Sequence, residues 1–223
     1  HSIEHWARGL IKPLPLELWV QQLIRHEPRG DEGWCGTDSF VSTPSSAIGL
    51  SAMLCGVEAL LSGCTAILDH LFIRSLDDLE AAVNAYKALG IRAFIAPMLN
   101  DDASMYENYI PLATDGAARN AASNGCGCCA MGPNGAFRTA CGEHDPEKTK
   151  AMLALWEAAV DRFHDPSNGI EIVIGPVTAY SASIELLKGA AELRRRRNLC
   201  GHTHLLETRA QALMPRQSLP SGP

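Results

Sequence analysis

The 223-residue sequence contains no apolar run approaching the roughly eighteen residues that a membrane-spanning helix needs, which excludes that class. It also has no surplus of basic charge: 19 Lys and Arg stand against 25 Asp and Glu, for a net charge of −6. Nucleic acids and anionic membranes are bound through excess cations, so neither is an expected partner. No charged leader followed by an apolar core opens the chain, and no secretory signal is read there. An initiator methionine is missing as well; the sequence starts at His1, and the expectation is that residues precede it. The eight cysteines form no disulfide framework. Cys55, Cys64 and Cys200 stand among apolar neighbours and read as reduced, buried thiols, which makes a cytoplasmic location the expectation. The one basic run, residues 194–197, falls where a helical pattern through Ile184, Leu187 and Leu193 ends. There it complements the helix dipole and is expected to face solvent.

What is present is the composition of a globular chain with a sizeable core, 46% apolar and 20% charged. Residues 45–61 place Ile48, Met53, Leu54, Val57 and Leu61 at helical spacing and stop at Ser62-Gly63. A short β-like run follows at 64–70, then a helix over 77–89 closed by Gly90, and a strand over 91–97. Beyond a long interruption the spacing predicts a helix over 148–162 behind Asp145-Pro146, a strand over 170–177, a helix over 184–196 and a strand over 199–204. Helix, glycine and buried strand recur four times, the signature of a parallel α/β fold. Such folds build their sites at the C-terminal ends of strands, where Asp69, His70, Thr178 and His204 fall. Residues 104–143 form a Gly-, Ala- and Cys-rich insert or lid. Within and beside it, Cys126, Cys128, Cys129, Cys141 and His144 could chelate zinc, although C-x-C-C is not the usual knuckle spacing. Residues 215–223 read as a disordered tail, which leaves 1–214 as the domain.

The chemistry concentrates at Gly201-His202-Thr203-His204-Leu205-Leu206-Glu207. Two histidines at i, i+2 on an extended segment share a face, and a glutamate three residues on can reach it as the chain turns. Imidazole is the commonest zinc ligand, and a nearby carboxylate that does not bind the metal can take a proton from an activated water. Spacing alone leaves open whether one or both histidines bind. His5, four residues after His1, could pair with it on a helical turn.

Four segments carry a resemblance. They are His1-Ser2-Ile3-Glu4-His5-Trp6-Ala7-Arg8-Gly9 with Leu14-Pro15-Leu16-Glu17-Leu18-Trp19; Gly63-Cys64-Thr65-Ala66-Ile67-Leu68-Asp69; Gly175-Pro176-Val177-Thr178-Ala179-Tyr180-Ser181-Ala182-Ser183; and His204-Leu205-Leu206-Glu207-Thr208. In this order they resemble the amidohydrolase superfamily, and within it the deaminase and chlorohydrolase branch of adenosylhomocysteine/methylthioadenosine, guanine and triazine enzymes. The resemblance implies a (β/α)8 TIM-type barrel, of which this chain would hold roughly strands two to five. It implies one divalent metal, zinc or alternatively iron, no organic cofactor, and a small cyclic nitrogenous substrate. His1 and His204 would be metal ligands and Glu207 the proton shuttle. His5, His70 and Tyr180 are candidate substrate contacts, with Asp69 and His202 as candidate supports behind them. Val177, Ala179 and Ala182 stand where the family has His, Pro and Cys, which separates the chain from the nucleoside substrates.

The family's sixth-strand histidine, its eighth-strand aspartate and the first histidine of its opening pair have no counterpart. Two ligands fall short of the three that catalytic zinc sites use. The sequence therefore carries two expectations: a metal-dependent hydrolase of carbon–nitrogen bonds, or a catalytically incompetent fragment of one with at most an association role. An open half-barrel would expose strand edges, and a full-length form could be a homo-oligomer.

Overall fold

The computed structural model describes residues 1–16, 19, 45–101, 146–178 and 182–209. The insert at 104–143, with Cys126, Cys128, Cys129 and Cys141, lies outside the described residues, as do His144, Tyr180 and the tail at 215–223. After a short 3-10 helix, Ser2–Ala7, come α1 (Ser45–Leu61), β1 (Ala66–Phe72), α2 (Leu76–Leu89), β2 (Arg92–Leu99) and α3 (Pro146–Phe163). A 3-10 turn, Pro166–Asn168, leads to β3 (Ile170–Ile172) and β4 (Gly175–Pro176), and α4 (Ile184–Arg196) follows.

Local chemistry accounts for these boundaries. Ser75 caps α2 by accepting the Asp77 N–H, and Gly90 ends it in the left-handed region at φ 69°. Ser183 caps α4 by accepting the Leu186 N–H, while its own N–H and hydroxyl donate to Asp101 at 2.8 and 2.6 Å. Thr149 of α3 donates to the same carboxylate, so Asp101 ties the end of β2 to two helices. The basic run at the end of α4 meets solvent and acidic residues of α3, with Arg196 beside Glu157 and Arg197 beside Asp161.

Among the described residues the pairs between named strands are parallel, and one isolated bridge, Asp165–Ile170, is antiparallel. β1 lies beside β2, pairing Asp69 with Ile95 and His70 with Ala96. β3 and β4 pair in turn with β2, at Ile95–Ile172 and Met98–Gly175. The strand expected over 170–177 is thus split, because Ile174 turns its N–H to Cys200 and accepts from His202 rather than pairing with β2. The strand expected over 199–204 is reduced to two parallel bridges, Ile174–Gly201 and Thr178–His204. The α/β reading with a parallel sheet holds. The sheet's core is filled by Leu71, Ile95, Ile170, Ile172 and Ile174, with Tyr86 and Trp156 fully buried from the helices packed on it. The expectation of buried thiols does not hold, since Cys64 and Cys200 are exposed and Cys55 is only half-buried; all three are free. Cys64 lies in the turn before β1 and Cys200 in the turn after α4, where the chain has left the core.

Gly175 occupies the tightest point of this sheet. A Cβ there would lie 2.8 Å from the Cβ of Ala96 and 3.0 Å from Nε2 of His70. Gly175→Ala is expected to cost about 1–3 kcal/mol by overpacking. For a chain of this size that lowers Tm by about 3–10 °C, which thermal unfolding followed by circular dichroism would measure.

Candidate metal centre

Four histidines from three separate stretches meet at the C-terminal ends of the strands. His70 is the fifth residue of β1, His1 opens the first 3-10 helix, and His202 and His204 follow the bridge to Ile174. The His70 and His204 rings stack at 4.6 Å between centroids, and His1 lies 4.9 Å from His204. His202 meets His70 edge-on at 4.8 Å, whereas its centroid is 6.2 Å from that of His204. His202 therefore packs against the cluster from the side.

Three of these rings are held in one tautomer each. A carbonyl oxygen only accepts, so a ring nitrogen bonded to it must carry the proton. His1 donates through Nδ1 to the carbonyl of His70 at 2.5 Å, and His204 through Nδ1 to Val177 at 2.7 Å. His70 donates through Nε2 to Gly175 at 3.1 Å. In the neutral rings the lone pairs are thus on Nε2 of His1, Nε2 of His204 and Nδ1 of His70. The first two face each other at 2.9 Å. Two lone pairs at that distance repel unless a proton or a metal cation lies between them. The third, His70 Nδ1, is buried and has no hydrogen-bond partner. Leaving a buried polar atom unpaired costs about 1–3 kcal/mol, so it calls for an explanation.

One donor nitrogen from each of His1, His70 and His204 lies within 4.8 Å of the other two. Nitrogens bound to one tetrahedral zinc at about 2.0–2.1 Å are separated by about 3.3 Å, close to the His1–His204 spacing. The donor set thus fits a divalent cation of the zinc type. Each ring's second nitrogen bonds to a backbone carbonyl, the arrangement that orients metal-binding histidines. Burial, reinforced by His204 and His202, pushes the pKa of His70 down to about 3, against the pull of its bond to Gly175. The ring is therefore neutral in the physiological range, with its lone pair available.

Asp69, 3% exposed, fixes His1 relative to β1. It accepts the Ser2 N–H at 2.8 Å, the Ser2 hydroxyl at 2.5 Å and the Tyr86 hydroxyl at 2.7 Å. Burial and the Asp69 charge both raise the pKa of that tyrosine. His5 points elsewhere, with its Nε2 3.4 Å from Glu58 of α1, and Arg8 joins the same carboxylate. Its pKa is lowered by burial and by Arg8. The structure therefore brings His1, His70, His202 and His204 together and leaves His5 outside. Glu207 is exposed, three residues beyond His204 and near enough to act electrostatically on Glu4.

Glu4 is the residue that sequence reasoning missed, although His1-Ser2-Ile3-Glu4 repeats the H-x-x-E spacing of His204-Leu205-Leu206-Glu207. Burial, with Asp69 and Glu207 adding to it, raises its pKa to about 7. The folded chain then binds more protons than the unfolded chain between the ordinary carboxylate value, about 4.3, and that raised value. Stability therefore falls as pH rises through this window. Glu4→Gln is expected to flatten the fall, giving a higher Tm than the parent at pH 8 and an equal one at pH 4.

The geometry defines an α/β protein with a three-imidazole site at the C-terminal ends of parallel strands. No protein-family model matches the chain. The 8-oxoguanine deaminase of Pseudomonas aeruginosa is 25% identical over 156 residues, covering 68% of this chain and 28% of that protein. The structure of guanine deaminase from C. acetobutylicum, with guanine bound in its active site, matches with a TM-score of 0.62 and 16% identity over 97% of this chain and 40% of that one. A mutant atrazine chlorohydrolase from Arthrobacter aurescens, complexed with zinc and atraton, gives a TM-score of 0.55 and 18% identity over 78% of this chain and 33% of that one. The solved structures, each under 25% identical, share the fold with this chain, and the deaminase relative is of the kind that the four sequence segments resemble. The chain spans well under half the length of each of these proteins. No helix among the described residues is long and apolar enough to cross a membrane.

Proposed function

We propose that the chain carries the metal-binding part of a cytoplasmic hydrolase that replaces an amino group, or a comparable leaving group, on a small nitrogen heterocycle with water. One observation carries this reading. Two imidazoles with carbonyl-fixed tautomers present unprotonated nitrogens to each other at 2.9 Å, three residues before a glutamate. In this reading the parallel sheet is strands two to five of an eight-stranded barrel. His1 and His204 would hold a zinc-type divalent cation, with iron as the alternative. When bound, such a cation supplies Lewis acidity and lowers the pKa of water towards neutrality.

The chain's own groups supply the rest. Glu207 takes a proton from the attacking water and returns it to the leaving nitrogen, which is general acid–base work within hydrogen-bond reach. Asp69, through Ser2, keeps His1 in place. His70 and Tyr180 remain candidate substrate contacts, together with His5 if its pairing with Glu58 opens, and His202 supports the cluster through His70. The zinc-bound chlorohydrolase and the purine deaminases support this assignment by likeness. The test is release of ammonia from 8-oxoguanine and guanine, or of chloride from a chlorotriazine, by zinc-loaded protein. Turnover that zinc restores after chelation supports the reading, and turnover indifferent to chelation contradicts it.

The alternative reading is a non-catalytic fragment that at most associates with another chain. It predicts neither stoichiometric metal nor turnover.

A further inference from the structure

We propose that His70 is a third metal donor, so that His1, His70 and His204 form a three-imidazole cation site within this chain. The inference rests on the metal-binding reading above and deepens it. The resemblance assigns His1 and His204 as ligands. The structure offers a third imidazole at the same strand end, 3% exposed, with its Nδ1 buried and unpaired. Three features argue that this nitrogen is built for a ligand. Its partner nitrogen is committed to the Gly175 carbonyl at 3.1 Å, which leaves the lone pair on Nδ1. Gly175 is the residue that admits the ring, since a Cβ there would meet His70 Nε2 at 3.0 Å. The ring stacks on His204 and takes His202 against its edge, so it is held on two sides.

A histidine kept only for packing would be expected to pair both nitrogens, and it would not need to lie with two other imidazoles whose donor atoms fall within 4.8 Å. An all-imidazole set suits zinc, copper, nickel or iron rather than calcium or magnesium, which prefer oxygen ligands.

The test uses the whole 223-residue chain and Zn2+ as the probe, titrated in competition with a chromophoric chelator. One equivalent is expected to bind, and His70→Ala is expected to weaken binding by about 100-fold or more, as loss of one of a few ligands does. His164→Ala, which removes an imidazole that accepts the Ile172 N–H and lies outside the cluster, is expected to leave zinc affinity at the parental value. Should His70→Ala fail to fold, nitrogen NMR of the unaltered chain reads the same point, because Zn2+ must move the Nδ1 resonance of His70 along with Nε2 of His1 and His204. If zinc binds through His1 and His204 while His70→Ala retains parental affinity, or the His70 resonance stays still, the third-donor proposal fails and the broader reading stands. If the unaltered chain binds no zinc, both fail.

Discussion

His204→Ala is expected to lower zinc affinity about 10²- to 10³-fold, the share of one ligand in a binding free energy of about 10–16 kcal/mol spread over about four. The variant removes the imidazole that faces His1 at 2.9 Å and stacks on His70 at 4.6 Å, so the remaining donors lose their common centre. Its side chain is only partly buried and bonds to the backbone at one carbonyl, that of Val177, so the fold should survive. Chelator competition measures the affinity, and circular dichroism confirms that the loss is local. Affinity unchanged in this variant would mean that the cluster does not bind the metal.

Glu207→Gln should give the opposite pattern, with zinc retained and chemistry lost. The amide keeps the size and much of the hydrogen bonding of the carboxylate but cannot accept a proton. A general acid–base residue contributes about 10²–10⁴-fold to rate, and that loss is expected in kcat with KM little changed. Steady-state ammonia release alongside metal content separates the two effects. A variant that binds zinc and keeps parental kcat would remove Glu207 from the chemistry.

The parts of this site that lie in one stretch of sequence were legible, and those made by the fold were not. His204 and Glu207 share a short segment whose spacing alone suggests a metal and a base. The helix over 45–61 has the bounds that its apolar spacing and the Ser62-Gly63 stop indicate. His70 was visible only as a histidine at a strand end. Its part in the cluster depends on an unpaired Nδ1 and on the carbonyl of Gly175, 105 residues away. The expectation of one strand over 170–177 rests on Ile170, Ile172, Val173, Ile174 and Val177, and passes over Glu171 and Gly175-Pro176. The hydrogen bonds instead pass from β2 to residues 200–202 at Ile174, next to that Gly-Pro pair, and return to β2 at Gly175. Glu4 escaped notice because a lone glutamate near a chain start reads as solvated, and only the neighbouring Asp69 and the burial of its carboxyl mark it out.

The most direct measurement is diffraction at the zinc absorption edge from crystals of the chain grown with one equivalent of Zn2+. One anomalous peak is expected, enclosed by Nε2 of His1, Nε2 of His204 and Nδ1 of His70, with Glu207 alongside and not ligating. Zinc found only elsewhere on the chain, with those three nitrogens unliganded, would contradict this expectation.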